Sequence, residues 1–193
     1  MRITGGEQGG RVIAVPKGRD IRPTQDRVRE ALFDILAPEL VGADFLDLFA
    51  GSGAVGLEAL SRGARRVVFV ESNRRHLDVL KGNLAALGAP PDAVETVCAD
   101  AYRYLARASG ASFSIVFADP PYALGETRGY ASVLALVAAR NVVRAGGLFI
   151  AEMTAAQRAE AADGWELLRD RTYGKTRICI WRREQEKGEE RHP

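Results

Sequence analysis

The stretch Ser114–Tyr122, SIVFADPPY, contains an apolar run that stops at an acid, two prolines and a tyrosine. Such runs are typical of buried parallel strands, and the strand must end at Pro120 and Pro121 because proline has no backbone N–H. Open α/β sheets bind ligands at the carboxyl ends of their strands. Asp119 and the Pro120 carbonyl are acceptors that can together hold an NH2 group while the ring of Tyr122 stacks on the base that carries it. This stretch therefore predicts a site for an amino group on a planar base, although D-P-P-Y is also compatible with a plain rigid turn.

Strand-like and helix-like segments alternate on both sides of this stretch. Strands are predicted at 45–49, 66–70, 94–98, 114–118 and 148–153, and helices at 25–37, 55–62, 74–87, 102–108, 130–140 and 155–162. Alternation of this kind predicts an α/β fold, a parallel sheet with helices on both faces. The end of the chain differs, because the segments 165–173 and 176–183 are separated by only two residues, which is the spacing of an antiparallel hairpin.

The region before the first helix, residues 1–23, is rich in glycine and β-branched residues and predicts a small β hairpin or extended arm. A catalytic domain is expected at 24–183, with Thr24 as the cap of its first helix, and a disordered polar tail at 184–193. The first 30 residues carry seven basic side chains against four acidic ones, which favours an anionic partner. The candidates for phosphate contacts are Arg2, Arg11, Lys17, Arg19 and Arg22. A solvated surface without a partner is the alternative.

Composition limits the class of protein. A chain of 193 residues with 47% hydrophobic residues can bury one sizeable core, and it contains neither a membrane-length apolar run nor a signal-peptide pattern. We therefore expect a soluble, cytoplasmic protein. Cys98 and Cys179 lie in apolar runs without metal-ligand spacing, and the two histidines are isolated, so small buried cysteines and no metal site are expected.

The first predicted strand runs into a glycine-rich loop, DLFAGSGAVG at 47–56. Gly51, Gly53 and Gly56 have the G-x-G-x-x-G spacing, which lets the backbone turn tightly and approach a ligand at a helix N-terminus. Glu71 closes the second strand twenty residues after Gly51, where a carboxylate can accept from the two hydroxyls of a ribose. Up to this point a nicotinamide dinucleotide also fits.

Two further acids separate the candidate cofactors. Asp47 ends the first strand, where a carboxylate favours the ammonium group of a methionine but gains nothing from a pyrophosphate. Asp100 ends the third strand and is placed to accept from an adenine amino group. Either acid alone could be a helix cap or a solvated loop residue. Together with Glu71 they predict S-adenosylmethionine as the cofactor.

With these motifs, the chain resembles the class I S-adenosylmethionine-dependent methyltransferases, and D-P-P-Y at 119–122 matches their amino-methylating branch. More narrowly, it is similar to the RsmD type of 16S ribosomal RNA guanine-N2 methyltransferase. The segments that carry this resemblance are RITGG at 2–6, GRVI at 10–13, RPTQDRVREALF at 22–33, DLFAGSGAVGLEALSRGA at 47–64, and YG at 173–174 with Thr176.

The resemblance implies a Rossmann-like, seven-stranded and mostly parallel sheet with one antiparallel strand. It also implies methylation of the exocyclic N2 of one guanine, numbered 966 in the standard scheme, in 16S ribosomal RNA of a partly assembled small subunit. Asp119, Pro120, Pro121 and Tyr122 would be the catalytic residues. The cofactor site would include Asp47, Gly51, Gly53, Glu71 and Asp100 with their neighbours Phe49, Ala50, Ser72 and Ala101, and Thr24 at the methionine end. A monomer without a metal or membrane partner is expected.

Three other functions stay open on the residues alone. A DNA adenine-N6 or cytosine-N4 methyltransferase would use the same D-P-P-Y chemistry, but the short intervals between the strands leave no room for a target-recognition segment, which favours RNA. A dinucleotide-dependent dehydrogenase would need the glycines and Glu71 but would leave Asp47, Asp100 and D-P-P-Y without a role. A non-catalytic assembly factor would bind the cofactor without turnover.

Overall fold

The structure is a computed structural model that describes residues 1–16, 23–108, 110, 113–120, 122–159 and 161–185, without the side chains of 23–25, 122–129 and 131. Its helices are α1 (Pro23–Leu40), α2 (Ala54–Ser61), α3 (Arg74–Leu87), α4 (Ala101–Arg107) and α5 (Tyr122–Ala139), with a 3-10 turn at Pro91–Ala93. Its strands are β1 (Asp44–Asp47), β2 (Arg66–Glu71), β3 (Val94–Cys98), β4 (Phe113–Ala118), β5 (Val143–Thr154), β6 (Trp165–Tyr173) and β7 (Thr176–Arg183).

All seven strands form one sheet in the order β3-β2-β1-β4-β5-β7-β6. Strands β1 to β5 pair in parallel, whereas β7 is antiparallel to both of its neighbours, β5 and β6. The predicted mostly parallel sheet with one antiparallel strand is therefore confirmed. The order reverses between β1 and β4, and ligands of such sheets bind in the crevice at this point, beyond the carboxyl ends of the strands.

Each face of the sheet is covered by its own hydrophobic core. Buried residues of α1, α2, α3 and the N-terminal arm pack on one face, on which Phe45, Phe69 and Phe117 project from β1, β2 and β4. Residues of α4 and α5 pack on the other face. Since side chains alternate along a strand, the residue two positions after each of these phenylalanines projects on the first face. This alternation decides where the strand-end acids lie.

Helix α1 is longer than predicted at both ends. It begins at Pro23, so Thr24 lies in its first turn and is not its cap; proline suits a first helical position because its missing N–H would have no partner there. The helix also continues through Pro38 to Leu40, beyond its predicted end at residue 37. Leu36 and Leu40 lie four residues apart and are each 1% exposed, so the extra turn buries a leucine in the core.

Helix α5 begins at Tyr122, directly after the prolines, whereas the sequence predicted a helix only from residue 130. Gly125 and Gly129 weaken the helical pattern of its first two turns. Strand β5 likewise starts at Val143, earlier than predicted, because Gly146 and Gly147 lie in a bulge of the strand and do not precede it.

The helix predicted over 155–162 is absent, since the described residues of that segment form turns and coil. Its polar groups are used locally: the Gln157 side chain accepts from the Thr154 backbone N–H at 2.9 Å, and the Gln157 carbonyl accepts from Arg177 at 2.7 Å. An alanine-rich segment of eight residues is too short to be helical without packing partners. Cys98 is also unlike the prediction, because it is exposed, whereas Cys179 is buried as expected.

The N-terminal arm forms a hairpin with one antiparallel bridge, Arg2 to Val12, and buries Ile3 and Ile13 in the first core. The predicted tail beyond residue 185 lies outside the described residues. Among the described helices, none is long and apolar enough to cross a membrane.

Candidate active site

Four adjacent strands carry an acid at the carboxyl edge of the sheet. Asp47 and Glu71 are the last residues of β1 and β2, Asp119 directly follows β4, and Glu152 lies near the end of β5. Each acid comes two residues after a side chain of the first core, so strand alternation directs all four toward the face covered by α1, α2 and α3. The crevice between β1 and β4 is therefore bordered by carboxyl groups on both sides.

Asp47 lies at the base of this crevice and is 1% exposed. Burial raises the pKa of its carboxyl group to about 7, and the charges of Asp119 and Glu71 add to the rise. The hydrogen bond from the Gly56 backbone N–H to Asp47 Oδ2, 3.1 Å long, acts in the opposite direction. Asp47 thus ties the end of β1 to the start of α2. Its predicted contact with a methionine ammonium stays a prediction.

The glycine-rich loop between β1 and α2 depends on glycine at two positions. Gly53 precedes α2 with φ +86°, a left-handed conformation that side chains disfavour. At Gly56, a Cβ atom would lie 2.2 Å from the ring of Phe69 on β2. The loop can therefore turn sharply while α2 packs closely on the sheet, which exposes backbone N–H groups at the helix N-terminus to a ligand.

Glu71 and Asp100 hold the backbone of the crevice wall. Glu71 accepts from the Gly51 N–H at 2.8 Å and from the Asn73 N–H at 2.7 Å, one on each oxygen. Asp100 caps α4, with its Oδ1 accepting from the Arg103 N–H at 3.0 Å. Because each carboxylate oxygen can accept a second donor, these contacts leave capacity for ribose hydroxyls at Glu71 and for an amino group at Asp100.

A cavity at the carboxyl ends of β1 to β4 brings most of these groups together. Its lining consists of Leu48, Phe49, Val70, Glu71, Ser72, Asn73, His76, Ala99, Asp100, Ala101 and Asp119. Of the predicted cofactor residues, Phe49, Glu71, Ser72, Asp100 and Ala101 are in this lining, whereas Asp47, Ala50, Gly51 and Gly53 are not. The side chain of Thr24 is not among those described. Carboxylates beside the apolar Phe49 and Val70 fit a nucleoside with free hydroxyl and amino groups.

Asn73 and His76 border this cavity and were not predicted. Asn73 caps α3 through its side chain, which accepts from the Arg75 N–H, and His76 Nδ1 lies 3.9 Å from Glu71 Oε1. Both residues follow Glu71 within five positions, which was the available signal in the sequence. The first turn of the helix after a strand lies at the carboxyl edge of the sheet, where ligands bind.

Asp119 lines the same cavity as the cofactor residues, and its side chain is exposed, while Pro120 beside it is buried. Pro121 lies outside the described residues. Tyr122 is the first residue of α5, and its side chain is not described. The structure thus places Asp119 in the lining of the cavity, whereas Pro120 is not among the lining residues. The roles of Asp119 and Pro120 as acceptors and of Tyr122 as a stacking residue stay predictions.

Glu152 was missed by sequence reasoning. Burial raises the pKa of its carboxyl group to about 8, with a further contribution from the charge of Asp119, while Arg29 of α1 opposes the rise. In the sequence Glu152 directly follows the apolar run 148–151, but Met153 continues the strand, so no strand end marked this acid.

Two of the five predicted phosphate-binding residues, Arg2 and Arg11, are described, and neither lines this cavity. Arg11 donates to the Ala86 carbonyl at 2.5 Å, in the last turns of α3, which lie away from the carboxyl edge because α3 starts there. Arg2 is exposed on the arm, and its carbonyl accepts from Arg29. Lys17, Arg19 and Arg22 lie outside the described residues. Within the described ranges, no group of three or more His, Cys, Asp or Glu side chains could hold a metal ion.

The strand order of the sheet reverses between β1 and β4, and a glycine-rich loop follows β1. The cavity at this edge fits a nucleoside and includes Asp119 of the D-P-P-Y motif. These features define a class I S-adenosylmethionine-dependent methyltransferase. The family model described as "Conserved hypothetical protein 95" matches residues 1–182. The chain belongs to this family, the RsmD-type ribosomal RNA methyltransferases.

Similar proteins include "Ribosomal RNA small subunit methyltransferase D" of Escherichia coli K12, 38% identical over 95% of this chain and 90% of the relative. The protein of the same name from Haemophilus influenzae is 32% identical over 90% of this chain and 89% of the relative. The solved structure of the yhhF protein from Escherichia coli superposes with a TM-score of 0.83 at 34% identity, covering 96% of this chain and 98% of that one.

Proposed function

We propose that the protein transfers the methyl group of S-adenosylmethionine to the exocyclic N2 of one guanine in 16S ribosomal RNA, the nucleotide numbered 966 in the standard scheme. The observation that carries this proposal is the position of Asp119 in the lining of the cavity that also contains Glu71 and Asp100. An amino group held at Asp119 would lie beside the cofactor. The relatives named for the small ribosomal subunit support ribosomal RNA as the substrate.

S-adenosylmethionine supplies an electrophilic methyl group on a positively charged sulfur. Guanine N2 is a weak nucleophile because its lone pair is delocalised into the ring. Two hydrogen bonds, to the Asp119 carboxylate and the Pro120 carbonyl, would make this nitrogen pyramidal and fix the direction of its lone pair. The carboxylate would also stabilise the positive charge that develops on the nitrogen as the carbon–nitrogen bond forms and the carbon–sulfur bond breaks. S-adenosylhomocysteine would leave as the neutral thioether, and the methylated nitrogen would lose its extra proton to solvent.

The target base must leave its stack to reach this site, and Tyr122 would hold the flipped base by stacking. The protein would act as a monomer on a partly assembled small subunit in the cytoplasm, where no metal is needed for the transfer. The arm of residues 1–16 and the segment that follows it would contact the RNA backbone outside the cavity.

The experiment that tests this proposal compares labelled methyl transfer to three substrates: small subunits lacking the modification, naked 16S ribosomal RNA and duplex DNA. We expect N2-methylguanosine from the subunits as the main product. Label recovered from DNA would support methylation of an amino group but contradict ribosomal RNA as the substrate. Cofactor binding without label in any substrate would contradict the enzymatic function.

Asp119→Ala should lower kcat in this assay by at least about tenfold while changing cofactor affinity much less, since it removes an acceptor aimed at the substrate amine. Asp119→Asn is the matched variant, because its amide oxygen still accepts but carries no charge, and we expect an intermediate kcat. Equal losses in kcat and in cofactor affinity would contradict the role of Asp119 as the amine acceptor.

A further inference from the structure

Glu152 and Asp119 are neighbours across two parallel strands. The last paired residues of β4 and β5 are Ala118 and Ala151, so the next residue on each strand is Asp119 and Glu152. Adjacent strands lie about 4.8 Å apart, and the preceding pair, Phe117 and Ile150, packs in the first core. The two carboxyl groups therefore leave the sheet side by side, on the face toward α1.

The surroundings of Glu152 hold its backbone, and its side chain lies beside Asp119 of the cavity lining without being part of that lining. Tyr130 of α5 donates from its hydroxyl to the Glu152 carbonyl, which holds the end of β5. The side chain of Glu152 is only partly exposed, and the rise in its pKa has burial as the first cause and Asp119 as the second. Arg29 faces it from α1 and favours its charged form. The partly buried carboxyl group of Glu152 and the exposed carboxyl group of Asp119 thus lie at one end of the crevice.

Among the nucleobases with an exocyclic amino group, guanine fits a second acceptor beside Asp119. In guanine the amino group is adjacent to the N1–H, a hydrogen-bond donor. In adenine and cytosine the ring nitrogen beside the amino group is an acceptor. An ionised carboxylate can only accept, whereas a protonated carboxyl group can also donate to such a ring nitrogen. The N1–H of guanine and the charge of Arg29 both favour the ionised form of Glu152. An acceptor next to the amine site therefore selects guanine.

We propose that Glu152 is a second base-contacting residue, whose carboxyl oxygen accepts the N1–H of the target guanine while Asp119 and the Pro120 carbonyl receive its N2 amino group. This inference rests on the proposed function and deepens it, because it assigns the choice of guanine to a residue on β5. D-P-P-Y alone would accept the amino groups of all three bases.

The test uses small subunits reconstituted with 16S ribosomal RNA that carries either guanine or 2-aminopurine at the target position. 2-Aminopurine keeps the 2-amino group but has an acceptor at N1. The wild-type enzyme should show a kcat/KM for guanine roughly 10- to 100-fold above that for 2-aminopurine, because the analogue leaves a buried acceptor unpaired. Glu152→Ala should reduce this ratio to within a few fold of one, mainly by slowing the reaction of guanine.

Glu152→Gln is the matched variant, because it keeps the length of the side chain and an acceptor oxygen, although its NH2 group can also donate to N1 of 2-aminopurine. It should therefore keep most of the reaction with guanine, while its preference falls below that of the wild type. 2-Aminopurine also lacks the O6 atom of guanine, but this difference is the same for every variant. A change in the guanine to 2-aminopurine ratio between two variants therefore reports the contact to N1–H. Thermal unfolding and binding of S-adenosylhomocysteine establish that each variant is folded, and Glu152→Met replaces Glu152→Ala if the latter is unstable.

An unchanged ratio in Glu152→Ala, or a Glu152→Gln variant that loses as much kcat/KM for guanine as Glu152→Ala does, would overturn this inference. Failure of the proposed function has a different signature, since the wild-type enzyme would then methylate neither kind of subunit.

Discussion

Folding removes the carboxyl group of Glu152 from water and places it beside another acid. Burial, and then the charge of Asp119, raises its pKa from 4.5 to about 8, against the influence of Arg29. The folded state therefore binds this proton more tightly than the unfolded chain. The free energy of unfolding should consequently fall as pH rises from about 4.5 to about 8, through the contribution of this group.

Glu152→Gln removes this titration, so the variant should be more stable than the wild type at pH 8.5, and the difference should shrink toward zero near pH 5. Each kcal/mol of difference corresponds to about 2–4 °C in Tm for a domain of this size. Thermal unfolding of both proteins between pH 5 and 9 measures the difference directly. The pKa of Asp47 is raised to about 7 in both proteins, so its contribution cancels in the difference between their free energies of unfolding. A difference that does not vary with pH would contradict the prediction.

Tyr122 provides a second test at the level of one side chain. If its ring stacks on the target base, Tyr122→Phe should retain most of kcat/KM, whereas Tyr122→Ala should lose the stacking energy of about 1–3 kcal/mol. Steady-state kinetics with small subunits distinguishes the two variants. Equal losses for Phe and Ala would assign the role to the hydroxyl group instead.

The acids of the site were predictable to the extent that their positions are local. Asp119 ends an apolar run at two prolines, and Glu71 and Asp100 likewise follow strand-like runs, so their edge of the sheet could be inferred. Glu152 could not, because Met153 and Thr154 continue its strand and hide the strand end. Nor does the sequence show that Asp47 is fully buried, since that depends on α2 packing against β2 through Gly56.

At the level of elements, the N-terminal arm is joined to α2 by one buried acid. Glu58 is 0% exposed and accepts from the Thr4 N–H and Gly5 N–H, each at 2.8 Å, and from the Thr4 hydroxyl at 2.7 Å. It also pairs with Arg29 of α1 and with Arg62, which directly follows α2. Burial opposes its charged form, but the hydrogen bonds from Thr4 and Arg62 outweigh burial and lower its pKa.

Glu58→Ala should therefore destabilise the protein by roughly 3–5 kcal/mol, because it removes the buried partner of the Arg29 guanidinium, which keeps only the more exposed Asp26, and detaches the arm. Urea unfolding at pH 7 measures this loss. Glu95→Gln is the matched control, since Glu95 forms a surface pair with Arg66 that should contribute less than about 1 kcal/mol. Similar losses in the two variants would show that Glu58 is not an anchor.

Elements with strong local signals were predicted well, and those that depend on tertiary contacts were not. The hairpin of β6 and β7 matches its predicted bounds because only Gly174 and Lys175 separate two strand-like runs. The segment 155–162 has good helix formers but is held in turns, where Ala155 donates its N–H to the Lys175 carbonyl of that hairpin. Propensity over eight residues is too weak to resist such contacts.

At the scale of the whole molecule, the arm is connected to the cofactor loop through α3. The buried side chain of Asn83 donates to the Ala14 carbonyl and to the Ser52 carbonyl, both at 2.9 Å, and accepts from the Ala14 N–H at 2.8 Å. Ser52 lies between the first two glycines of the loop. The arm that carries Arg2 and Arg11 is thus fixed on the same body as the cavity, as its proposed role in RNA binding requires.

The basic residues of this arm should determine the salt dependence of RNA binding. Each phosphate contact that is lost should flatten the plot of log binding constant against log salt concentration by about 0.7–0.9. Titrations of single alanine variants of Arg2, Arg11, Lys17, Arg19 and Arg22 against 16S ribosomal RNA at several salt concentrations measure these slopes. Arg11 also donates to Gln8 and Ala86, so its replacement should flatten the plot less than the replacement of Arg2 does.

Arg169→Ala, on the edge strand β6, is the matched control and should leave the slope unchanged, because the sheet order places β6 at the edge remote from α3. Slopes unchanged in all five arm variants would mean that the charge excess of the first 30 residues is a solvated surface and that RNA binds elsewhere.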